Sequence, residues 1–295
     1  IQSGLKPIFV DVDINNFGID ETLLTKKILN KSRAIVLIHV LGNSSNVKKI
    51  SDLARDNNIY LIEDTCEALG SKYNNKYLGT YGDFGTYSFY YSHQITSGEG
   101  GMIVCKTKEN YDMLKSLRSH GWDRERYKKN KKKYFNFINS GFNLRPMEIN
   151  AAIGLSQLKR FKKMIKIRTK NRDLIINNLK NSSKWKKQFS FFTNNDKVEP
   201  SWFGLPILLN SNYINKKEKF IKYLNNSGIE TRPIISGNFL NQPASNLYNL
   251  NPQNKKFKNT QKIEDSGFFI GLPTQIINKE KIYFLTNRLL SIDNI

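Results

Sequence analysis

The chain has 295 residues, 39% of them hydrophobic, and no apolar run approaches the roughly 20 residues that a membrane-spanning helix requires, so no membrane protein is expected. Cys66 and Cys105 are its two cysteines, which excludes a disulfide framework or a four-cysteine cluster within the chain. The net charge of +22 raises a nucleic-acid reading, most of all at residues 128–133, but Lys is spread nearly everywhere beside Asn and Ile and no recognised binding module accompanies it.

The first residues, Ile1-Gln-Ser-Gly4, lack an initiator Met and run almost at once into an apolar stretch. A fragment of a longer protein is therefore expected, without a visible signal peptide and with a cytoplasmic location. Residues 7–12 read as a strand. Asp20 caps a helix whose apolar residues follow at helical spacing. Residues 33–40 form a near-continuous apolar run, the pattern of a strand buried on both faces. From Asn46 onward, Val47, Ile50, Leu53 and Ala54 share one helical face, and residues 59–64 form the next strand. Such a βαβ unit makes its two strands parallel with a right-handed crossover.

Ligands of open parallel sheets bind beyond the carboxyl ends of the strands, and Asp64 stands at such an end. A helix cap or turn is the competing reading for that aspartate. His39 also ends its strand near the same crevice, but with no paired ligand it reads as a satisfied structural histidine. The three histidines and two cysteines show no metal-ligand spacing, so no metal is expected.

The most informative stretch is Ser88-Phe-Tyr-Tyr-Ser-His93-Gln-Ile-Thr-Ser-Gly-Glu-Gly-Gly101. Strand-like runs at residues 85–91 and 102–105 flank it, so its polar, glycine-rich part is a connection between two strands. Taken alone this is a turn that glycine permits and little more. It resembles the cofactor-lysine segment of the DegT/DnrJ/EryC1/StrS family of sugar aminotransferases, which use pyridoxal phosphate and adopt the type I aminotransferase fold. That family holds the cofactor on a lysine as a Schiff base; here the position is His93. The same exchange marks the nucleotide-sugar 3-dehydratase branch, which removes a hydroxyl instead of delivering an amine.

The resemblance extends along the chain and implies further roles. Glu63-Asp64 with Ala68-Leu-Gly70 is similar to the segment whose aspartate bonds the cofactor's pyridine nitrogen, keeping the ring an electron acceptor. Glu67 is expected beside the ring hydroxyl, with a solvated charge as the alternative, and Ser88 offers a hydroxyl to the cofactor. Gly141-Phe-Asn143-Leu-Arg145, followed by Pro146 in a first helical turn, resembles the family's second motif. Its asparagine reaches the cofactor phosphate of a partner subunit in relatives, so Asn143 implies a homodimer with shared sites. Arg145 belongs to the same motif, as a substrate contact. An asparagine in a pre-helical turn is also common on its own account.

The helix after Pro146 is expected to continue through Asn177 and to break at Asn181-Ser-Ser183. A large cofactor-binding domain over residues 1–186, lacking the family's amino-terminal part, and a small α+β domain over 187–295 are expected. Residues 200–209 read as a strand and 216–224 as a helix. Residues 228–239 read as a strand leading into a loop, and they again resemble the dehydratase branch. Arg232 is placed to pair with a diphosphate or a donor carboxylate, and Asn238 to meet sugar hydroxyls. A surface arginine is the alternative for Arg232.

The resemblance thus implies an α/β type I fold, pyridoxal or pyridoxamine phosphate as cofactor, a nucleotide-4-keto-6-deoxyhexose substrate, glutamate as amino donor, and His93 as acid and base. An iron–sulfur cluster, carried by one dehydratase subgroup on cysteines that follow the equivalent of residues 118–123, is not expected, since residues 124–141 hold no cysteine. The competing reading is an aminotransferase homologue that lost its lysine and serves in binding. Nucleic acid is not expected as a partner, although the positive charge favours an anionic substrate.

Overall fold

The structure is a computed structural model that describes residues 1–28, 31–123, 135–192, 196–251 and 256–295. The lysine run at 128–133 and most of the cysteine-free stretch at 124–141 lie outside the described residues. Among the described residues, no helix is long and apolar enough to cross a membrane.

Asp20 caps α1 (Glu21–Lys27), accepting from the N–H groups of Thr22 and Leu23. The apolar run that follows becomes β1 (Ala34–Ile38), and Asn46 caps α2 (Val47–Asp56), which leads into β2 (Tyr60–Asp64). The βαβ reading holds: β1 and β2 are parallel, with Ile38 opposite Asp64. Burial on both faces does not hold, because β1 alternates, with Ile35 and Leu37 buried while Val36 and Ile38 are exposed. Residues 7–12 form no extended strand; only Val12 pairs, in an isolated bridge to Ile19.

A small sheet joins β3 (Lys72–Tyr73) and β4 (Lys76–Tyr77) to a strand from the second half of the chain. Next come β5 (Phe84–Ser88) and β6 (Gly101–Cys105), which complete a four-stranded sheet in the order β1-β2-β5-β6. β5 is parallel to β2 and β6 antiparallel to β5, so the His93 segment connects two adjacent, hydrogen-bonded strands. Gly85 explains the tight approach behind the sheet, since a Cβ there would sit 2.0 Å from the Gly79 carbonyl oxygen.

After α3 (Lys108–Arg118) the expected long helix is two, α4 (Glu148–Leu158) and α5 (Phe161–Lys180), separated at Lys159 and Arg160. Pro146 precedes Met147, the N-cap of α4, and so lies before the helix instead of in its first turn. The antiparallel second sheet and its helices follow. In chain order come β7 (Phe189–Ser190), β8 (Val198–Glu199), which pairs with β3 in the small sheet, β9 (Gly204–Leu209), α6 (Lys217–Asn226), β10 (Thr231–Arg232), α7 (Pro243–Leu247), α8 (Lys258–Ser266), β11 (Gly267–Gly271) and α9 (Lys279–Leu290), and the second sheet runs β10-β11-β9-β7.

Two apolar clusters hold the fold. One lies under the first sheet around Leu37, Ile50, Leu61 and Leu78. The larger gathers β9, β11 and the faces of α5, α6 and α9, and it also takes in Val40 and Leu41 from the turn after β1. That turn therefore belongs to both halves of the structure. Phe203 donates its N–H to Leu41 at 3.1 Å, which brings the start of β9 beside the carboxyl ends of β1 and β2.

Candidate active site

Because β1, β2 and β5 are parallel, their carboxyl ends share one edge of the sheet, and the groups singled out from the sequence collect there. Asp64 closes β2 and is half-buried. Its carbonyl accepts the His39 N–H at 3.0 Å, and its carboxylate accepts the Cys66 N–H at 3.1 Å. Burial and the neighbouring Asp64 push the Cys66 thiol up to about 12, so this cysteine is no nucleophile.

His93 stands on the connection between β5 and β6, which folds back on itself. Phe89 donates to Gly100 at 2.8 Å, Ser97 to Phe89 at 2.9 Å and His93 to Tyr90 at 3.0 Å. Gly98 takes φ +83°, where a side chain would be strained. Asn150 of α4 clamps this connection from outside, donating to the carbonyls of Ser97 and Glu99 at 2.8 and 2.9 Å. The His93 ring lies between Phe203 and Tyr90, with centroids 5.3 and 5.9 Å away. Its Nδ1 is buried without a hydrogen-bond partner. Burial holds the imidazole below its ordinary range, partly opposed by the Asp64 charge, which puts the two groups within electrostatic reach.

Glu67 approaches the same edge from the turn after β2. Burial drives its carboxyl up to about 7, the Leu41 N–H at 2.9 Å resists, and the Asp64 charge adds to the rise. A second residue holds this turn from below. The Gln94 side-chain amide, 1% exposed, donates to the Glu67 carbonyl and, at 3.3 Å, to that of Ser201. Sequence reasoning passed over Gln94; its place directly after His93 was the available signal. Ser88 ends β5, and its hydroxyl accepts the Tyr90 N–H at 3.2 Å.

The other expected residues lie outside this group. Arg232 sits on β10, paired with Glu230 at 2.8 Å, and it interacts with Tyr91, two residues before His93, which brings it to the rim. Asn143 and Arg145 are exposed and contact each other at 3.3 Å, and among the described residues neither bonds to Asp64, Glu67 or His93. Asn238 is buried and committed to the fold, donating to Gln261 at 3.0 Å and capping a short helical turn through the Leu240 N–H. No group of three or more His, Cys, Asp or Glu able to hold a metal occurs among the described residues.

A crystal structure of GDP-4-keto-6-deoxymannose-3-dehydratase with bound GDP-perosamine superposes with a TM-score of 0.87 at 32% identity, over 98% of this chain and 75% of that one. The Escherichia coli GDP-4-keto-6-deoxy-D-mannose-3-dehydratase with bound hydrated pyridoxal phosphate gives 0.85 at 31% identity, over the same shares of the two chains. The residues here fit that cofactor: a carboxylate at a strand end, a half-buried acid beside it, and a buried imidazole nitrogen with no partner among the described residues. Fold and site thus define a pyridoxal-phosphate-dependent, sugar-modifying enzyme of the type I α/β fold.

Within that class the chain belongs to the DegT/DnrJ/EryC1/StrS aminotransferase family, whose sequence model matches residues 1–283. It is 35% identical to the GDP-4-keto-6-deoxy-D-mannose 3-dehydratase of Escherichia coli over 92% of this chain and 71% of that protein. It is 33% identical to the lipopolysaccharide biosynthesis protein RfbH of Salmonella typhimurium, over 92% of this chain and 65% of the relative.

Proposed function

We propose that the chain acts as a nucleotide-4-keto-6-deoxyhexose 3-dehydratase in the biosynthesis of 3,6-dideoxysugars for lipopolysaccharide. The observation that carries this reading is His93, which by the resemblance takes the position of the family's lysine and whose buried Nδ1 has no hydrogen-bond partner among the described residues. When bound, the pyridoxamine form of the cofactor supplies an amine for the C4 ketone and a ring that accepts electrons.

The side chains divide the remaining work. Asp64, on the strand end, holds the pyridine nitrogen protonated. Glu67 sits at a protonation state balanced near neutrality and meets the ring hydroxyl. His93 is neutral at pH 7 because burial lowers it, so it is ready to take a proton from carbon; once charged it returns that proton to the departing C3 hydroxyl. An imidazole also cannot keep the cofactor covalently, as a lysine amine would. Ser88 would assist in cofactor binding, and Arg232 at the rim would receive an anionic group of the sugar nucleotide or of glutamate, the amino donor.

A homodimer completes the site in this reading. α4 buries none of its residues, and Met147, Ile149 and Leu155 are 65, 71 and 63% exposed. This exposed apolar helix adjoins Asn143 and is tied through Asn150 to the His93 connection, so a second copy seated on it brings Asn143 and Arg145 towards its partner's cofactor and substrate.

Product mass analysis after incubation with GDP- and CDP-4-keto-6-deoxyhexoses, pyridoxal phosphate and glutamate tests the assignment. Loss of water from the sugar is expected. An amino sugar, or no conversion despite cofactor binding, selects the aminotransferase-like or binding role instead.

A further inference from the structure

Behind Asp64 lies a buried pair that plays no part in the chemistry above. Glu63 and His39 are both 0% exposed, and His39 Nε2 lies 3.0 Å from Glu63 Oε2. The same carboxylate accepts the N–H of Gly79 at 2.8 Å, of Tyr81 at 2.7 Å and of Gly82 at 2.6 Å. A carboxylate has about four lone-pair sites, so these four donors saturate it. His39 Nδ1 is buried without a hydrogen-bond partner among the described residues, so Nε2 is the ring atom that engages the Glu63 carboxylate. Burial raises the Glu63 carboxyl, and the His39 and backbone donors overcome it, leaving the group ionised below the ordinary carboxylate range.

His39 grips two consecutive residues of β2. Its ring holds the Glu63 side chain while its backbone N–H holds the Asp64 carbonyl at 3.0 Å. Glu63 in turn ties β2 to the turn at residues 79–82 that launches β5, the strand leading to His93. Successive strand residues point to opposite faces, so whatever fixes Glu63 on the inner side fixes the direction of Asp64 on the other.

We infer that His39 and Glu63 are positioning residues for the cofactor, a buried clamp that sets where the Asp64 carboxylate meets the pyridine nitrogen. The inference rests on the proposed role of Asp64, and the test separates the two. Pyridoxal phosphate affinity and the pH at which the bound cofactor's absorbance changes are measured for the unaltered protein and for His39→Leu, His39→Gln, Asp64→Asn and the His39→Leu/Asp64→Asn double variant, alongside the melting temperature of each without cofactor.

His39→Leu should weaken cofactor binding about tenfold and shift the absorbance transition to lower pH, the size of effect seen for partners that stand behind metal ligands. His39→Gln, which keeps a donor near the Nε2 position, should restore both. In the Asp64→Asn background His39→Leu should add nothing, the mark of one residue acting through the other. If His39→Leu lowers the melting temperature but leaves affinity and transition unchanged, or if its effect persists in full without Asp64, the clamp is structural only and the inference is overturned. If His39→Leu does not fold, the glutamine variant decides: an absorbance transition that moves despite a normal melting temperature and a retained donor rejects the clamp. An unaltered transition in Asp64→Asn alone removes the Asp64 reading and the inference with it.

Discussion

Glu67 accepts a hydrogen bond from the backbone N–H of Leu41 at 2.9 Å, linking an acid of the candidate site to a turn packed in the larger apolar core. The bond favours the ionised carboxyl, yet burial and the nearby Asp64 still place its titration at about 7, above the ordinary carboxyl value of 4.5. Between these values the folded protein keeps a proton that the unfolded chain releases. Stability therefore falls as pH rises through that window and levels off above it, by at most about 3 kcal/mol. Glu67→Gln keeps the acceptor for Leu41 and removes the titration. Its melting temperature without cofactor should rise more at pH 8 than at pH 5, and an equal change at both would reject this account.

The His93 shift runs the other way. Burial depresses its folded value below 6.5, so the stability it allows is present above the unfolded value and declines as pH falls towards the folded one. His93→Asn should flatten that acid-side loss in thermal melts. It should also reduce dehydration by about 10²- to 10⁴-fold while pyridoxal phosphate still binds, as followed by product formation and equilibrium dialysis. Borohydride should trap no cofactor adduct at position 93 in the unaltered protein.

The βαβ unit was legible because its signals are local: an acidic cap at Asp20, an Asn46 cap and helical spacing from Val47 to Ala54. Residues 7–12 look equally apolar, but a strand needs a neighbouring strand: Ile8 is exposed, and the partly buried remainder is held by Asp11 accepting from Asn259 and Thr260 instead of by strand pairing. The break at Lys159 and Arg160 carries neither Gly nor Pro, so an unbroken helix was the natural reading. At the site, Asp64 and His93 declared themselves through motifs. The roles of Gln94 and Glu63 depend on partners at Ser201 and at residues 79–82, contacts that no periodicity announces.

The exposed apolar side chains of α4 mark it as a contact face in assembly. Leu155→Glu should yield a monomer in sedimentation velocity, whereas Asn143→Ala should leave the assembly intact and loosen the cofactor. Retention of the dimer by Leu155→Glu and by Ile149→Asp together would exclude this face as the contact.

Close packing behind the sheet predicts a stability effect away from any chemistry. A methyl at Gly85 meets the Gly79 carbonyl at 2.0 Å, and Gly79 at φ +86° has its own Cβ position 2.3 Å from the Tyr87 hydroxyl. Gly85→Ala should cost about 1–3 kcal/mol in urea unfolding, as overpacked sites do.

The His93 connection is fastened at both ends by β5 and β6 and from outside by Asn150, while the imidazole itself leaves Nδ1 unbonded. The scaffold at this point does not lean on that side chain. Mutation can therefore exchange the chemical group presented there at little structural risk, and lineages sharing the framework are free to diverge in what they do to a sugar by altering a single codon.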